Sequence, residues 1–326
     1  MSRPLITVLG ASGFIGSAVV AALAHRPVRL RTVSRRPAAM PGSGRTTADI
    51  EHRTADLTRP GLLAEAVAGS NAVIHLVAHI DGAGTWRAAG DAPAGARVNT
   101  GLTLDIVDAL RHERTAGPPP VVLFASTATA AAEDEEEEPV TAYERQKLAA
   151  ERILGEATAD GVLRGAALRL STVFGPGRTP AAADRGIVSA MAARAVSGAP
   201  ITMWHDGTVR RDLLYVQDAA EAFTAALDHA GALAGRHWLV GSGRSTPLGE
   251  VFRTIAAAVA DRTGAPPVPV HRVEPPAYAS AADFRSVRVD CAPFRAATGW
   301  APRVPLHEGL KRTVTALTGA HGKDLA

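Results

Sequence analysis

A glycine-rich turn between a short apolar run and an Ala/Val-rich stretch constrains this chain more than any other feature. Gly10-Ala11-Ser12-Gly13-Phe14-Ile15-Gly16 follows the β-rich run Leu5–Leu9 and opens a helical pattern over residues 14–25. In a strand–turn–helix of this kind each glycine has a physical task. The first permits the tight turn, the second lets the backbone approach a pyrophosphate, and the third allows the helix to pack closely on the strand. The helix N-terminus then offers unpaired N–H groups to an anion. The spacing is GxxGxxG rather than GxGxxG. It implicates Gly10, Ser12, Gly13, Phe14, Ile15 and Gly16 in holding a dinucleotide.

The rest of the chain supplies the context that such a turn requires. Apolar runs at 28–34, 52–55, 72–78, 121–126 and 165–170 alternate with helical patterns at 62–68, 95–111 and 141–157. That rhythm predicts an α/β fold, a Rossmann-type doubly wound parallel sheet. After Thr172 it breaks at a turn rich in glycine and proline. A dinucleotide-binding domain is expected over residues 1–174, with 212–240 returning to it. A smaller C-terminal substrate-binding domain is expected from 175–211 and 241–326.

Composition narrows the function class. The single cysteine, Cys291, excludes a disulfide framework and a cysteine-rich zinc site, and points to the reducing cytoplasm. A formal net charge of +3 is no polyanion-binding surface, so nucleic acid is not an expected partner. The apolar stretch 5–24 after Arg3 has the outline of an export signal, but Gly10, Gly13 and Gly16 interrupt it. No other stretch approaches the ~18 apolar residues of a membrane span, so no membrane partner is expected. His75 and His79 fall on a predicted strand, where i,i+4 spacing makes no helix-type metal site, and no metal is expected. Glu133–Glu138 is an acidic run read as a solvated loop, or as a flap beside the site. Trp204-His205-Asp206 and residues 81–86 are open between pocket lining and turn.

The end of the second strand chooses the nucleotide. NAD sites place a carboxylate there for the adenosine ribose hydroxyl. This chain has Ser34-Arg35-Arg36, and two guanidiniums suit a 2′-phosphate, so NADPH/NADP+ is the expected cofactor. Asp56-Leu57 is placed to touch adenine.

Tyr143 and Lys147 lie four apart on one predicted helix face. A phenol titrates near 10, and a neighbouring ammonium is expected to lower that value, allowing proton exchange beside a carbonyl. Ser126-Thr127 closes the preceding strand, where a hydroxyl could hydrogen-bond a substrate oxygen.

Together GASGFIG, Asp56-Leu57, HLVA, Asn99, Ser126-Thr127, YERQK, RLSTVFGPG, RRDLLYVQDA and the terminal Gly299-Trp300-Ala301-Pro302 resemble the extended short-chain dehydrogenase/reductase (epimerase/dehydratase) superfamily. The resemblance implies that Thr127 is the hydroxyl partner, Tyr143 the acid/base and Lys147 its tuner and the anchor of the nicotinamide ribose. It places Leu76, Val77, Ala78 and Asn99 against the cofactor. It assigns Ser126, Thr127 and Thr172 to the substrate, and Arg211 with Arg285 to a nucleotide-sugar diphosphate. It also implies a homodimer paired through two helices. Dehydratases of this superfamily carry Asp-Glu after the threonine, and this chain carries Ala128-Thr129. The stretches LVAHIDGAGTWR, FASTATAA and TMWHDGTVRRDL resemble the NDP-hexose 4-ketoreductases of antibiotic deoxysugar biosynthesis. A dTDP-linked 4-keto sugar is the substrate that this likeness implies. An epimerase with retained NAD and a non-catalytic NADP(H)-binding regulator are the alternatives.

Overall fold

The computed structural model describes residues 3–38, 46–79, 93–113, 117–130, 141–179, 182–277, 279 and 281–324. The acidic run Glu133–Glu138 and residues 81–86 lie outside them. The first half alternates β1 (Leu5–Leu9), α1 (Phe14–Leu23), β2 (Arg29–Ser34), β3 (Asp49–Thr54), α2 (Leu62–Val67), β4 (Ala72–His75), α3 (Pro93–Ala96), α4 (Leu102–His112), β5 (Val121–Thr127), α5 (Ala142–Ala159) and β6 (Arg164–Leu170). The second half contains β7 (Thr172–Phe174), α6 (Ile187–Val196), β8 (Ile201–Met203), β9 (Arg210–Tyr215), α7 (Val216–Asp228), α8 (Ala230–Leu233), β10 (Arg236–Val240), β11 (Ser245–Pro247), α9 (Leu248–Thr263), β12 (Val270–Arg272), α10 (Ala281–Phe284), α11 (Ala292–Thr298) and α12 (Leu306–Asp324).

Seven parallel strands form the central sheet, in the order β10-β6-β5-β4-β1-β2-β3. The inner strands β1 and β4 are buried along their whole length, because helices cover both faces and uninterrupted apolar runs are then tolerated. One face packs on α1 and α7, with Phe294 and Trp300 added from the C-terminal part of the chain. The other packs on α2, α4 and α5. At one edge β3 presents Glu51 and Arg53 to solvent, charges that discourage further strand pairing. The order reverses between β1 and β4, and ligand crevices in open α/β sheets lie at that switch point.

Two local departures from the expected elements shape the site. The run 72–78 is expected as one strand, but pairing stops at His75. Leu76–His79 then crosses the glycine turn, where a Cβ on Gly10 would sit 3.0 Å from the Leu76 carbonyl carbon. The helix expected over 95–111 is broken by a π-turn at Arg97–Gly101. That wider turn directs the fully buried Asn99 inward, where its amide accepts from the His79 N–H at 2.8 Å and donates to the His79 carbonyl at 3.2 Å. The backbone that leaves the sheet after β4 thus finds side-chain partners for both polar groups.

The smaller lobe has its own apolar core, built from α6, α9 and α12 against β7 and β9. Of the returning stretch 212–240, β10 becomes the seventh strand, whereas β9 pairs with β7 and β11 in a separate three-stranded sheet. The Gly-Trp-Ala-Pro segment docks on α7. Trp300 Nε1 donates to the Asp218 carbonyl, and the Asp218 carboxylate accepts from the N–H groups of Arg303 and Val304.

Candidate active site

The glycine turn leaves α1 without a side-chain cap. Its N-cap is Gly13, and its first turn carries no acidic residue. The first-turn N–H groups are therefore unclaimed by a side chain, as an anion site requires. Phe14 and Ile15 are partly buried and pack their side chains against the sheet core. Gly16 is forced by contact, since a Cβ there would lie 2.1 Å from the Gly10 carbonyl oxygen.

Beside this turn lies a cavity of about 180 Å³ at the C-terminal ends of β1, β2, β3 and β4. Gly10, Ser12 and Gly13 line it, with Ser34, Arg35 and Arg36, Asp56 and Leu57, and Leu76, Val77 and Ala78. The structure so gathers in one crevice residues that the sequence places at four separate strand ends. The residues fit a dinucleotide: a glycine cradle meets free N–H groups at one end and two arginines at the other. Ser34 shapes that end by donating from Oγ to the Arg36 carbonyl at 2.7 Å. Asp56 is tied to Thr58, whose N–H and hydroxyl hold its carboxyl below the usual range with help from Arg35. Ala55, Thr58, His79, Val98 and Leu102 also line the crevice. Motif reasoning misses them because their places depend on how the strand ends converge.

Asn99, expected against the cofactor, spends its amide on His79 and on Gln146 Oε1 at 2.8 Å. It shapes the crevice wall from behind.

Thr127 ends β5, and Tyr143 and Lys147 lie in the first turns of α5, where Lys147 reaches the Ala125 carbonyl of β5. A capping box starts that helix: Thr141 Oγ1 accepts the Glu144 N–H and the Glu144 carboxylate accepts the Thr141 N–H. The Thr-x-x-Glu spacing is the sequence signal for that helix start. Lys147 is buried, donates to the Ala125 carbonyl at 2.9 Å, and lies 4.5 Å from the Phe124 ring centroid and 5.6 Å from that of Tyr143.

The electrostatics differ from the expectation that the ammonium lowers the phenol. Burial pushes the Tyr143 phenol up to about 12. Burial also brings Lys147 down to about 7, opposed by the Glu151 carboxylate. In so dry a site desolvation of each group outweighs their mutual effect. The phenol stays protonated at neutral pH.

Three residues expected at the substrate have hydrogen-bond partners within the fold. The Ser126 hydroxyl donates to Glu151, which also holds Arg169 through Nε at 3.0 Å and Nη2 at 2.8 Å. That contact ties the end of β5 to α5. Arg211, expected on the diphosphate, is buried and donates to the backbone carbonyls of Arg210, Ala282, Asp283 and Arg285. Arg285 donates to the Thr129 carbonyl at 2.6 Å and stands 3.6 Å from Glu144 Oε1. A guanidinium forks readily onto backbone carbonyls, and sequence cannot distinguish those acceptors from phosphate oxygens. Thr172 opens β7 and is half-buried. Trp204-His205-Asp206 enters a turn, in which His205 Nδ1 accepts from Gly207 N–H and Asp206 accepts from Thr208.

His75, at the end of β4, is buried and tilted against Phe124 at 5.3 Å between ring centroids. Neither ring nitrogen has a hydrogen-bond partner among the described residues. Burial, reinforced by Lys147, lowers it to about 3. The folded protein keeps His75 neutral while an unfolded chain protonates it below its ordinary value. Stability should therefore fall as pH drops from about 6.5 toward 3, with His75 contributing at most about 1.4 kcal/mol per pH unit. Urea unfolding between pH 7 and 4 should show that slope reduced in His75→Leu. An unchanged slope in the variant would mean that His75 is protonated in the fold.

Among the described residues no group of three His, Cys, Asp or Glu is placed to hold a metal, and no helix is long and apolar enough to cross a membrane. The family described as NAD dependent epimerase/dehydratase matches residues 6–241. A UDP-glucose 4-epimerase of Mycolicibacterium smegmatis is 31% identical, with 96% of this chain and 97% of that protein covered. Among solved structures, MoeE5 in complex with UDP-glucose and NAD is 26% identical with a TM-score of 0.77, covering 98% of this chain and 99% of that one. A UDP-glucose 4-epimerase of Thermus thermophilus in complex with NAD is also 26% identical, with a TM-score of 0.76 and coverage of 97% and 99%.

Proposed function

The chain belongs to the NAD dependent epimerase/dehydratase family, and from that premise we propose that it is an NADPH-dependent reductase of the C4 ketone of a dTDP-linked 4-keto-6-deoxyhexose, one also deoxygenated at C2. The reading rests first on the dinucleotide crevice, where the end of β2 presents Arg35 and Arg36 and no carboxylate. Arg35 and Arg36 would hold a 2′-phosphate, the α1 N-terminus the pyrophosphate, and Lys147 the nicotinamide ribose. The reduced nicotinamide, when bound, supplies the hydride.

The chain's own residues manage the oxygen. Thr127 and Tyr143 hydrogen-bond the ketone oxygen, and Tyr143 gives its proton to the alkoxide as negative charge develops there. A phenol held at about 12 is in the protonated form that this direction needs. The residues after Thr127 are Ala128 and Thr129, so no carboxylate stands there to remove water.

Deuterium labelling tests this reading. (4-²H)-NADPH of the correct face, supplied with a 4-keto sugar, should place one deuterium at C4 of the product with one NADP+ formed per sugar. The similarity to UDP-glucose 4-epimerases favours one other reading, an epimerase that retains NAD. Protein that purifies with bound NAD and interconverts 4-hydroxy sugars without net NADPH oxidation would put that reading in place of the reductase.

The arginine pair carries its own prediction. Charge-assisted hydrogen bonds contribute about 1.5–3 kcal/mol, so Arg35→Ala/Arg36→Ala should weaken NADPH binding roughly 10–100-fold and leave NADH binding nearly unchanged. Equal kcat/KM for NADH and NADPH in the wild type would overturn the cofactor assignment.

A further inference from the structure

Thr127 and Tyr143 stand on different elements, one ending β5 and the other in the first turn of α5. Both must reach one substrate oxygen, so the separation of these elements has to be held. A side chain from the smaller lobe spans them. Arg285, just beyond α10, donates from Nη2 to the Thr129 carbonyl at 2.6 Å. The same nitrogen lies 3.6 Å from Glu144 Oε1.

Each acceptor is one step from a reacting hydroxyl. Thr129 and Thr127 share a hydrogen bond between their hydroxyls at 2.8 Å, and the Thr129 N–H also points at Thr127 Oγ1 at 3.3 Å. Glu144 directly follows Tyr143 and is fully buried. Its Oε2 accepts from Thr141 N–H at 3.0 Å, whereas Oε1 has no hydrogen-bond partner among the described residues and faces the Arg285 guanidinium. A buried carboxylate needs a compensating cation, and here that cation comes from the other lobe. Arg285 is itself held from behind. Arg211 on β9 donates to the carbonyls of Ala282, Asp283 and Arg285, and Val287 N–H donates to the Arg210 carbonyl at 3.0 Å.

We propose that Arg285 is a positioning residue: it ties the Thr127-bearing turn to the Tyr143-bearing helix, with Arg211 locking its segment onto β9. The smaller lobe thereby enters the alignment of Thr127 and Tyr143 without touching the reacting atoms. This inference rests on the reductase reading above only for the choice of substrate.

The test is a series of Arg285→Ala, Arg285→Lys, Glu144→Gln and the Arg285→Ala/Glu144→Gln double variant. Each is measured for kcat, KM for the sugar, NADPH affinity and melting temperature. Small displacements of reacting groups are costly, so Arg285→Ala should lower kcat about 10–100-fold with sugar KM and NADPH affinity nearly unchanged. Arg285→Lys should recover part of the loss, because it keeps the cation that faces Glu144 but on a shorter side chain with less reach. Glu144→Gln keeps the side-chain shape, so it should lose less kcat than Arg285→Ala. The double variant should be no worse than Arg285→Ala alone, the non-additivity expected of one linked unit.

A raised sugar KM with kcat retained would assign Arg285 to the substrate and overturn the proposal. So would wild-type kcat per NADPH-binding site in Arg285→Ala accompanied only by a lower melting temperature. Wild-type turnover is measured first with a 4-keto sugar. Its absence refutes the reductase reading alone, and the series is then read with 4-hydroxy nucleotide sugars, whose oxidation makes the same demand on Thr127 and Tyr143.

Discussion

Tyr143→Phe is expected to lower kcat by at least ~10²-fold, the usual scale for a lost general acid, with NADPH affinity little changed. The substitution keeps the ring that packs near Lys147 and removes only the hydroxyl. The phenol stays protonated to about 12, so no pH in the ordinary assay range deprives the wild type of its donor. The same is not true of Lys147, which burial brings to about 7. Where the wild-type rate does bend near neutrality, the bend should persist at lower amplitude in Tyr143→Phe and disappear in Lys147→Met. Near-normal turnover of Tyr143→Phe would remove the tyrosine from the mechanism.

The second large effect concerns one hydrogen atom. A Cβ at Gly16 would lie 2.1 Å from the Gly10 carbonyl oxygen and 2.9 Å from the Gly10 carbonyl carbon. Both are backbone atoms, so no side chain can rotate away and α1 must move off the turn. That motion strains the 2.9 Å hydrogen bond from Gly13 N–H to the Gly10 carbonyl and spreads the cradle. Overpacking of this kind costs about 1–3 kcal/mol, and Gly16→Ala should lose that much stability. Its NADPH affinity should fall at least about tenfold, equivalent to about 1.4 kcal/mol of misaligned N–H groups. Gly155, in α5, is the control, since nothing lies within 4 Å of a Cβ built there. Gly155→Ala should be neutral or stabilise by up to about 1 kcal/mol, because alanine restricts the unfolded chain and fits the helix. Thermal melts and NADPH titration of the two variants read both effects. Wild-type affinity in Gly16→Ala would mean that the glycine is not needed to hold the cofactor.

Much of the molecule is legible without its structure. The strand at Leu5–Leu9, the glycine turn and the helix after it are local in character, and each depends on residues within a few positions. The same holds for Tyr143 and Lys147, which share a helix face by spacing alone. Where expectation and structure part, the deciding contact is distant. The strand beginning at Ala72 ends at His75 because Asn99, on a π-turn 20 residues beyond His79, takes over the backbone. The long helix is interrupted there for the same reason.

Charge shows the division most clearly. Residue order alone dictates that cations cluster near the ligand crevices, since Ser34-Arg35-Arg36 must follow β2 and Arg211 must lie on the strand before α7. It restricts the sheet order as well, because buried apolar strands joined by helices close into few topologies. Which groups each guanidinium meets in the fold depends on contacts far apart in the chain. Arg35 and Arg36 line the open crevice, whereas Arg211 is consumed by carbonyls as far as 74 residues along the chain. Arg285 crosses 156 residues to the Thr129 carbonyl. A phosphate oxygen and a backbone carbonyl are equivalent acceptors to an arginine. Which of them it meets depends on where the fold brings the chain back, and burial then fixes the choice, because a buried guanidinium left unpaired is far costlier than one that is paired.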